Sequence, residues 1–230
     1  MQPWQDGSRV ADFVHKKDRT NALQLLKQLH ETGERVDWKG SKLLPESRQL
    51  LKWRLRLTRF QEGLPTLAYY LPKNLLRQIL SYGERALLEI KKAEIDLPKE
   101  KVTLLHGDVV HHNFLVCADG RMCLIDFDLA QKGEAGDELI LWLHRVLPNM
   151  SYNLLDLMDE QAHLQTIPTE KLHRLKFPNE LLREWLHVLT LNEEQRDVFL
   201  DYLLPFTETA LTSWPDLWYD SERCVRNKVN

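Results

Sequence analysis

Only three stretches of this sequence read as buried strands, and all three fall between residues 102 and 125. VTLL (102–105), FLVC (114–117) and MCLI (122–125) are short apolar runs bounded by turn residues, with CADGRM as the hairpin signal between the last two. The rest is patterned for helices. Residues 20–33 place Ala22, Leu25, Leu26 and Leu29 on one stripe, with Gly33 as the expected C-cap. Residues 34–45 read as loop, and a helix over 46–61 should end at the EGLPT turn. A longer helix is expected from Pro72, a good first-turn residue, with Leu75, Leu76, Ile79, Ala86, Leu87 and Ile90 as its stripe and IDLPKEK (95–101) as its end. DELILWLHRVLP is apolar nearly all round, which predicts a deeply buried helix with Asp137 as N-cap. Further helices are expected over 151–163, 179–190, 193–204 and 206–213. The fold class is therefore α+β and mostly helical, around one small β unit.

Charge and composition exclude several roles. The formal net charge of −3 gives no global basic field for nucleic acid. The one basic segment, RQLLKWRLRLTRF (48–60), has Leu50, Trp53, Leu57 and Phe60 at helical spacing, so its arginines form a solvated face. No apolar run approaches the about 18–20 residues that span a bilayer, and MQPWQDGSRV lacks the charged and apolar regions of a signal peptide. Three cysteines without a CxxC spacing make a poor disulfide framework. A two-residue hairpin at Asp119-Gly120 would pair Cys117 with Met122 and Cys123 with Val116, placing the thiols on opposite faces. A reduced, cytoplasmic protein is expected, with no nucleic-acid or membrane partner.

The strand ends carry the chemistry. In LLHGDVVHHNFLVCADGRMCLIDFDLA (104–130), Asp108 and Asp126 stand eighteen residues apart, and Asn113 follows Asp108 by five. A carboxylate in a loop at a strand end can accept a proton from a hydroxyl nucleophile. An amide oxygen and a second carboxylate on an adjacent hairpin form a hard-oxygen site suited to Mg²⁺, which completes its shell with water and phosphate oxygens. Asp-x-x-x-x-Asn followed by Asp-Phe is the catalytic-loop and metal-loop pair of kinases, with Asp108 as base, Asn113 as a metal ligand and Asp126 bridging metal and nucleotide phosphates. Asp126, ending a buried strand, needs a partner, and a metal supplies one. Asp128 reads equally as a second metal contact or a turn residue. His106 reads as a structural hydrogen-bonding residue. His111 and His112 read as loop histidines, because no third ligand stands at helical spacing to complete a zinc site.

LLHGDVVHHNFLV followed by MCLIDFDLAQKGEAGDEL resembles the aminoglycoside phosphotransferase and choline kinase family, the small-molecule branch of the protein-kinase-like fold. His106, Gly107, Asp108, Asn113, Ile125, Asp126, Phe127 and Asp137 match its motif in order. The resemblance is strongest over 102–147 and extends to 1–33, which looks like the hinge and first C-lobe helix. The chain departs from the pattern at Val110, where the family has His or Asn, and at His112, where it often has Gly. That departure bears on the conformation of the loop and leaves the Asp–Asn spacing intact. The resemblance implies a single kinase-like C-lobe over 1–230: a hinge-like segment (1–20), a catalytic and metal-binding core (102–137) and a helical substrate-side subdomain (148–230). It also implies transfer of the γ-phosphoryl of ATP or GTP, with Mg²⁺, to a hydroxyl of a small molecule. His106, Gly107 and Asp137 would support the site.

The family's N-terminal lobe, a β-sheet with a phosphate-covering loop and a lysine, has no visible counterpart before residue 100. The chain reads as starting at the hinge, with Met1 an internal methionine or a misassigned start. Three readings follow: a small-molecule phosphotransferase or its catalytic lobe, a non-catalytic binding or regulatory protein on the same scaffold, or a subunit whose N-lobe comes from a partner chain. The presence together of Asp108, Asn113 and Asp126 favours the first. For the acceptor, Asp156, Asp159 and Glu160 could attract a cation, although a solvated helix face explains them better. Trp214, Trp218 and Tyr219 could form a cation–π wall, although core packing is the better reading of these aromatics.

Overall fold

The computed structural model describes residues 7–38, 40–93 and 101–229. Most of the expected helix end at 95–101 and most of the opening hinge-like hexapeptide lie outside the described residues. In chain order the elements are β1 (Arg9–Val10), α1 (Lys16–Gly33), α2 (Gln49–Leu67), α3 (Lys73–Ala93), β2 (Val102–Leu105), β3 (Phe114–Val116), β4 (Met122–Leu124) and β5 (Gln131–Glu134). They continue with α4 (Ala135–Val146), α5 (Leu154–Glu160), α6 (Thr169–Leu172), α7 (Asn179–Val188) and α8 (Glu193–Val229). The chain divides into two compact units. The first is Met1–Ser47, Pro98–Met150 and Leu157–Ile167; the second is Arg48–Leu97, Ser151–Asp156 and Pro168–Asn230.

The first unit holds the five strands found among the described residues, in a three-stranded sheet ordered β1-β3-β4 and a two-stranded β2-β5 pair. The three apolar runs are strands as expected, while β1 and β5 are additions. The sequence QKGE of β5 has no apolar alternation, and it is a strand because it pairs antiparallel with β2 from Val102↔Glu134 to Leu105↔Gln131. Helix α1 buries Ala22, Leu23, Leu26 and His30, a face rotated from the expected stripe so that Leu25 and Leu29 are only half-buried. Gly33 is the last residue of this helix rather than its cap. A Cβ there would lie 2.3 Å from Thr103 Oγ1, so the glycine is what lets α1 approach β2.

The β3–β4 turn differs from the expected two-residue form. Cys117 N–H donates to the Arg121 carbonyl (2.7 Å) and Gly120 N–H to the Cys117 carbonyl (2.9 Å), leaving a three-residue loop with Gly120 at φ +83°. The register pairs Val116 with Met122 and Leu115 with Cys123. A one-residue change of register moves side chains to the other face. Cys117 and Cys123 therefore share a face, with their sulfurs 3.2 Å apart.

The second unit is helical. Helix α2 runs through Pro65 to Leu67, beyond the expected EGLPT turn. Pro65 removes only one backbone donor near the helix end, and Leu67 is fully buried. Arg48, Arg54 and Arg59 are exposed as expected, and Arg56 bonds Asn179 Oδ1. The two helices expected over 193–204 and 206–213 are one helix, α8, which continues through Pro205 and Pro215. A single buried stripe explains its continuity: Leu203, Thr207, Ala210, Trp214, Leu217 and Ser221. Tertiary packing along that stripe outweighs two local breaks. Trp53 stacks on Phe177 (4.7 Å between centroids), and Trp185 Nε1 donates to Thr207 Oγ1 (2.9 Å). No helix among the described residues is long and apolar enough to cross a membrane.

Candidate active site

Two strand pairings bring the motif residues together. β2 and β5 are paired up to Leu105↔Gln131, and β3 and β4 are paired from Phe114↔Leu124. The segments left between them, 106–113 and 125–130, must therefore face each other, and they carry every residue of the expected catalytic and metal set. Two hydrogen bonds tie them directly. His106 Nε2–H donates to the Ile125 carbonyl (2.8 Å), and Ile125 N–H donates to the Asn113 carbonyl (3.0 Å).

His106 is fully buried, and its other ring nitrogen, Nδ1, accepts from Asp108 N–H at 3.3 Å. Its ring edge packs on Phe127, 4.7 Å between centroids. One imidazole thus ties the Asp108 loop to the Ile125 segment. Gly107 has φ +85°, and a Cβ there would lie 2.1 Å from the Leu129 carbonyl oxygen. Glycine is required at this position both for the left-handed backbone and for contact between the two loops.

Asp108 presents a half-buried carboxylate with Arg145 Nη2 3.6 Å from its Oδ1. Its carbonyl accepts from Asn113 Nδ2 (2.9 Å). Asn113 is buried in the turn His111–Asn113, and this bond directs its amide nitrogen inward to the loop and leaves Oδ1 as the oxygen to offer a cation. Asp126 corrects an expectation, because it is exposed rather than buried at its strand end. It adopts φ 64°, ψ 71°, a left-handed conformation that Asp tolerates through local hydrogen bonding, here to Asp128 N–H at 3.4 Å. Asp128 is also exposed, in the middle of the turn Phe127–Leu129.

The donor chemistry fits Mg²⁺. Asn113 Oδ1 and the exposed Asp126 carboxylate are hard oxygens, and Mg²⁺ commonly takes one or two protein ligands plus water and phosphate. No group of three His, Cys, Asp or Glu side chains able to hold a metal occurs among the described residues.

Asp137 corrects a second expectation. The N-cap position of α4 is Glu134, and Asp137 sits inside the first turn. The next residue, Glu138, reaches the Asp108 loop. Glu138 is fully buried; its Oε1 accepts from Gly107 N–H (2.7 Å), and its Oε2 lies 2.8 Å from Nε2 of the buried His30. Glu138, His30 and Arg145 were not singled out from sequence. A carboxylate inside an apolar helix and a histidine within the buried face of α1 were the available signals.

His111 and His112 are exposed, their rings edge-on at 5.3 Å, with Phe13 6.3 Å from His111. Burial, with help from His112 and Arg145 and against Asp12, holds the His111 imidazole below its ordinary value.

Four of the acceptor-side candidates, Asp156, Glu160, Trp214 and Trp218, are engaged in other contacts. Glu160 is bound by Arg19 through Nη2 (2.6 Å) and Nε (3.1 Å), with both side chains nearly buried. Burial pushes its carboxyl up, but the Arg19 and Gln161 hydrogen bonds outweigh it and hold the group below its ordinary value. Asn153 caps α5: its Oδ1 accepts from Asp156 N–H (3.1 Å), and its Nδ2 donates to Asp156 Oδ2 (2.6 Å), so Asp156 serves the start of this helix. Asp159 is exposed. Trp214 and Trp218 are buried around Tyr82 (6.1 and 6.0 Å), so they serve the core of the helical unit, while Tyr219 is exposed.

The model of a phosphotransferase enzyme family matches residues 2–151, more than half the chain. This chain belongs to the phosphotransferase enzyme family. An aminoglycoside phosphotransferase from Alicyclobacillus acidocaldarius superposes with a TM-score of 0.68 at 17% identity, over 96% of this chain and 70% of that one. A choline/ethanolamine kinase family protein from Mesorhizobium loti gives 0.58 at 16% identity, over 97% and 73%. The spectinomycin phosphotransferase APH(9)-Ia, solved with ADP and spectinomycin, gives 0.53 at 16% identity, over 91% and 68%. At these identities the likeness is one of fold, and the fold is that of small-molecule kinases. No curated protein matches the sequence significantly.

Proposed function

We propose that the chain is the catalytic C-lobe of a cytoplasmic small-molecule kinase, transferring the γ-phosphoryl of ATP or GTP to a hydroxyl. The observation that carries this reading is the pairing of the two loops. His106 and Asn113 bind the Asp108 segment to the Asp126 segment, in a chain of the phosphotransferase family. Asp108 accepts the proton of the acceptor hydroxyl. Arg145, 3.6 Å away, fixes the direction of that carboxylate. Asn113 and Asp126 would hold Mg²⁺, with the exposed Asp128 carboxylate as a further oxygen donor. When bound, the ion neutralises the charge of the phosphate oxygens. His106, Gly107 and Glu138 hold the loops in register. The chain spans 68–73% of the length of these structural neighbours. Residues 148–230 form the acceptor side, and the three free thiols fit a reducing compartment.

The test is a Mg²⁺-dependent ATP and GTP titration of the 230-residue chain, followed by turnover with a panel of hydroxyl acceptors. Asp126→Asn should weaken metal–nucleotide binding. Asp108→Ala should leave nucleotide binding intact and lower turnover by about 10²–10⁴. Unchanged turnover in Asp108→Ala would refute its assignment as the base.

A further inference from the structure

Outside the phosphoryl-transfer site, the first unit holds a pair of nucleophilic side chains that the proposed reaction does not use. Cys117 closes the β3–β4 turn and Cys123 lies in β4, both as free thiols. Their sulfurs are 3.2 Å apart because the three-residue loop puts both residues on one face of the hairpin. A disulfide bond is about 2.05 Å long, so closure needs an approach of little more than an ångström. The loop between them is held by Asp119, whose Oδ1 accepts from Arg121 N–H (3.0 Å) and whose Oδ2 accepts from Arg121 Nε (2.7 Å). The two thiols are therefore presented in a constrained turn rather than in a mobile tail.

The two cysteines differ in access. Cys117 is 6% exposed, while Cys123 is half-exposed. The hydrogen bond with the Cys123 sulfur, and burial after it, push the Cys117 thiol up. The thiolate is the reactive form of cysteine. Cys123 thus meets a reagent from solvent first, and Cys117 waits behind it as the resolving thiol.

We propose that Cys117 and Cys123 form an oxidative modification site that takes hydrogen peroxide and closes to an intra-hairpin disulfide. The Cys123 thiolate attacks one peroxide oxygen; the O–O bond breaks, the other oxygen leaves as water with a proton, and Cys123 becomes a sulfenic acid. The Cys117 sulfur then gives up its proton and attacks the Cys123 sulfur. The S–S bond forms, the S–O bond breaks, and the oxygen leaves as a second water. Two thiols and one peroxide thus yield one disulfide and two waters. A thiol reductant reverses the product by exchange. The hairpin that closes is the one joining Asn113 to Asp126, so the modification staples the turn opposite the candidate metal ligands.

The test treats the full chain with hydrogen peroxide under non-denaturing conditions, then counts free thiols and maps peptides by mass. The expected result is loss of two of the three thiols, a Cys117–Cys123 linkage within one chain and recovery of both thiols with dithiothreitol. Cys117→Ser should instead trap Cys123 as a sulfenic acid that a dimedone probe captures, with no intramolecular linkage. Both cysteines lie on a short hairpin, and circular dichroism of each variant before oxidation verifies the fold. Survival of both thiols at peroxide levels that consume Cys224, linkage of either one to Cys224 or to a second chain, or over-oxidation of Cys123 while Cys117 stays reduced would each overturn the proposal.

Discussion

Replacement of Glu138 by alanine tests whether one buried carboxylate holds the Asp108 loop in place. Glu138 is 0% exposed and accepts two hydrogen bonds, from Gly107 N–H at 2.7 Å and from His30 Nε2 at 2.8 Å. Glu138→Ala leaves both donors without an acceptor. Each buried bond left unmade costs about 1–3 kcal/mol, so the pair is worth about 4 kcal/mol. The assay is urea unfolding at neutral pH. With a slope of about 3 kcal/mol per molar urea, the midpoint should fall by about 1.3 M. Glu138→Gln keeps an oxygen for Gly107 and should lose about half as much. His30→Ala should cost about 1–2 kcal/mol less in the Glu138→Ala background than alone, since both act on one bond. A Glu138→Ala protein within about 0.5 kcal/mol of the parent, or full additivity with His30→Ala, would refute the assignment, because surface changes fall within that range.

Gly107→Ala should both destabilise the chain and disable the site: a left-handed L-residue costs about 1–2 kcal/mol, and its Cβ would meet the Leu129 oxygen at 2.1 Å. Displacement of Asp108 on that scale should lower turnover by about 10², and turnover equal to the parent would argue against loop contact at this glycine. The first unit should lose stability in acid. Arg9 bonds Asp18 at 2.6 and 2.9 Å and holds its carboxyl below the ordinary 3.8, and Glu160 is held below 4.5 despite its burial by Arg19. Both folded-state values are depressed, so the unfolded chain binds protons first as pH falls. The contribution is complete above the ordinary values and disappears as pH drops through the folded ones. A thermal midpoint followed from about pH 6 to about pH 3 should fall more steeply in the parent than in Asp18→Asn or Glu160→Gln; parallel curves would show that neither pair is formed.

The local chemistry of the site could be read from residue order. His106, Gly107, Asp108, Asn113 and Asp126 lie in one short stretch, and turn residues between apolar runs define the strands that present them. What could not be read there depended on partners distant in the chain. QKGE is a strand only because β2 offers it an edge, and α8 runs through Pro205 and Pro215 only because a buried stripe continues on both sides of them. The hairpin register hung on one residue of turn length, and that residue put Cys117 and Cys123 on the same face. Asp137 and Glu138 are adjacent acids in an apolar helix, and sequence alone offers no reason to prefer the second. Helix geometry turns successive residues by about 100°, so only the placement of α4 decided that Glu138 meets Gly107 and His30. The same holds for Glu160, Trp214 and Trp218, whose exposure looked open in the sequence and was settled by Arg19 and Tyr82. Sequence alone determined which residues could do chemistry, because the donor types and short spacings are properties of the chain. Tertiary structure decided which of them are held, buried or exposed, because those properties belong to contacts between segments far apart in the sequence.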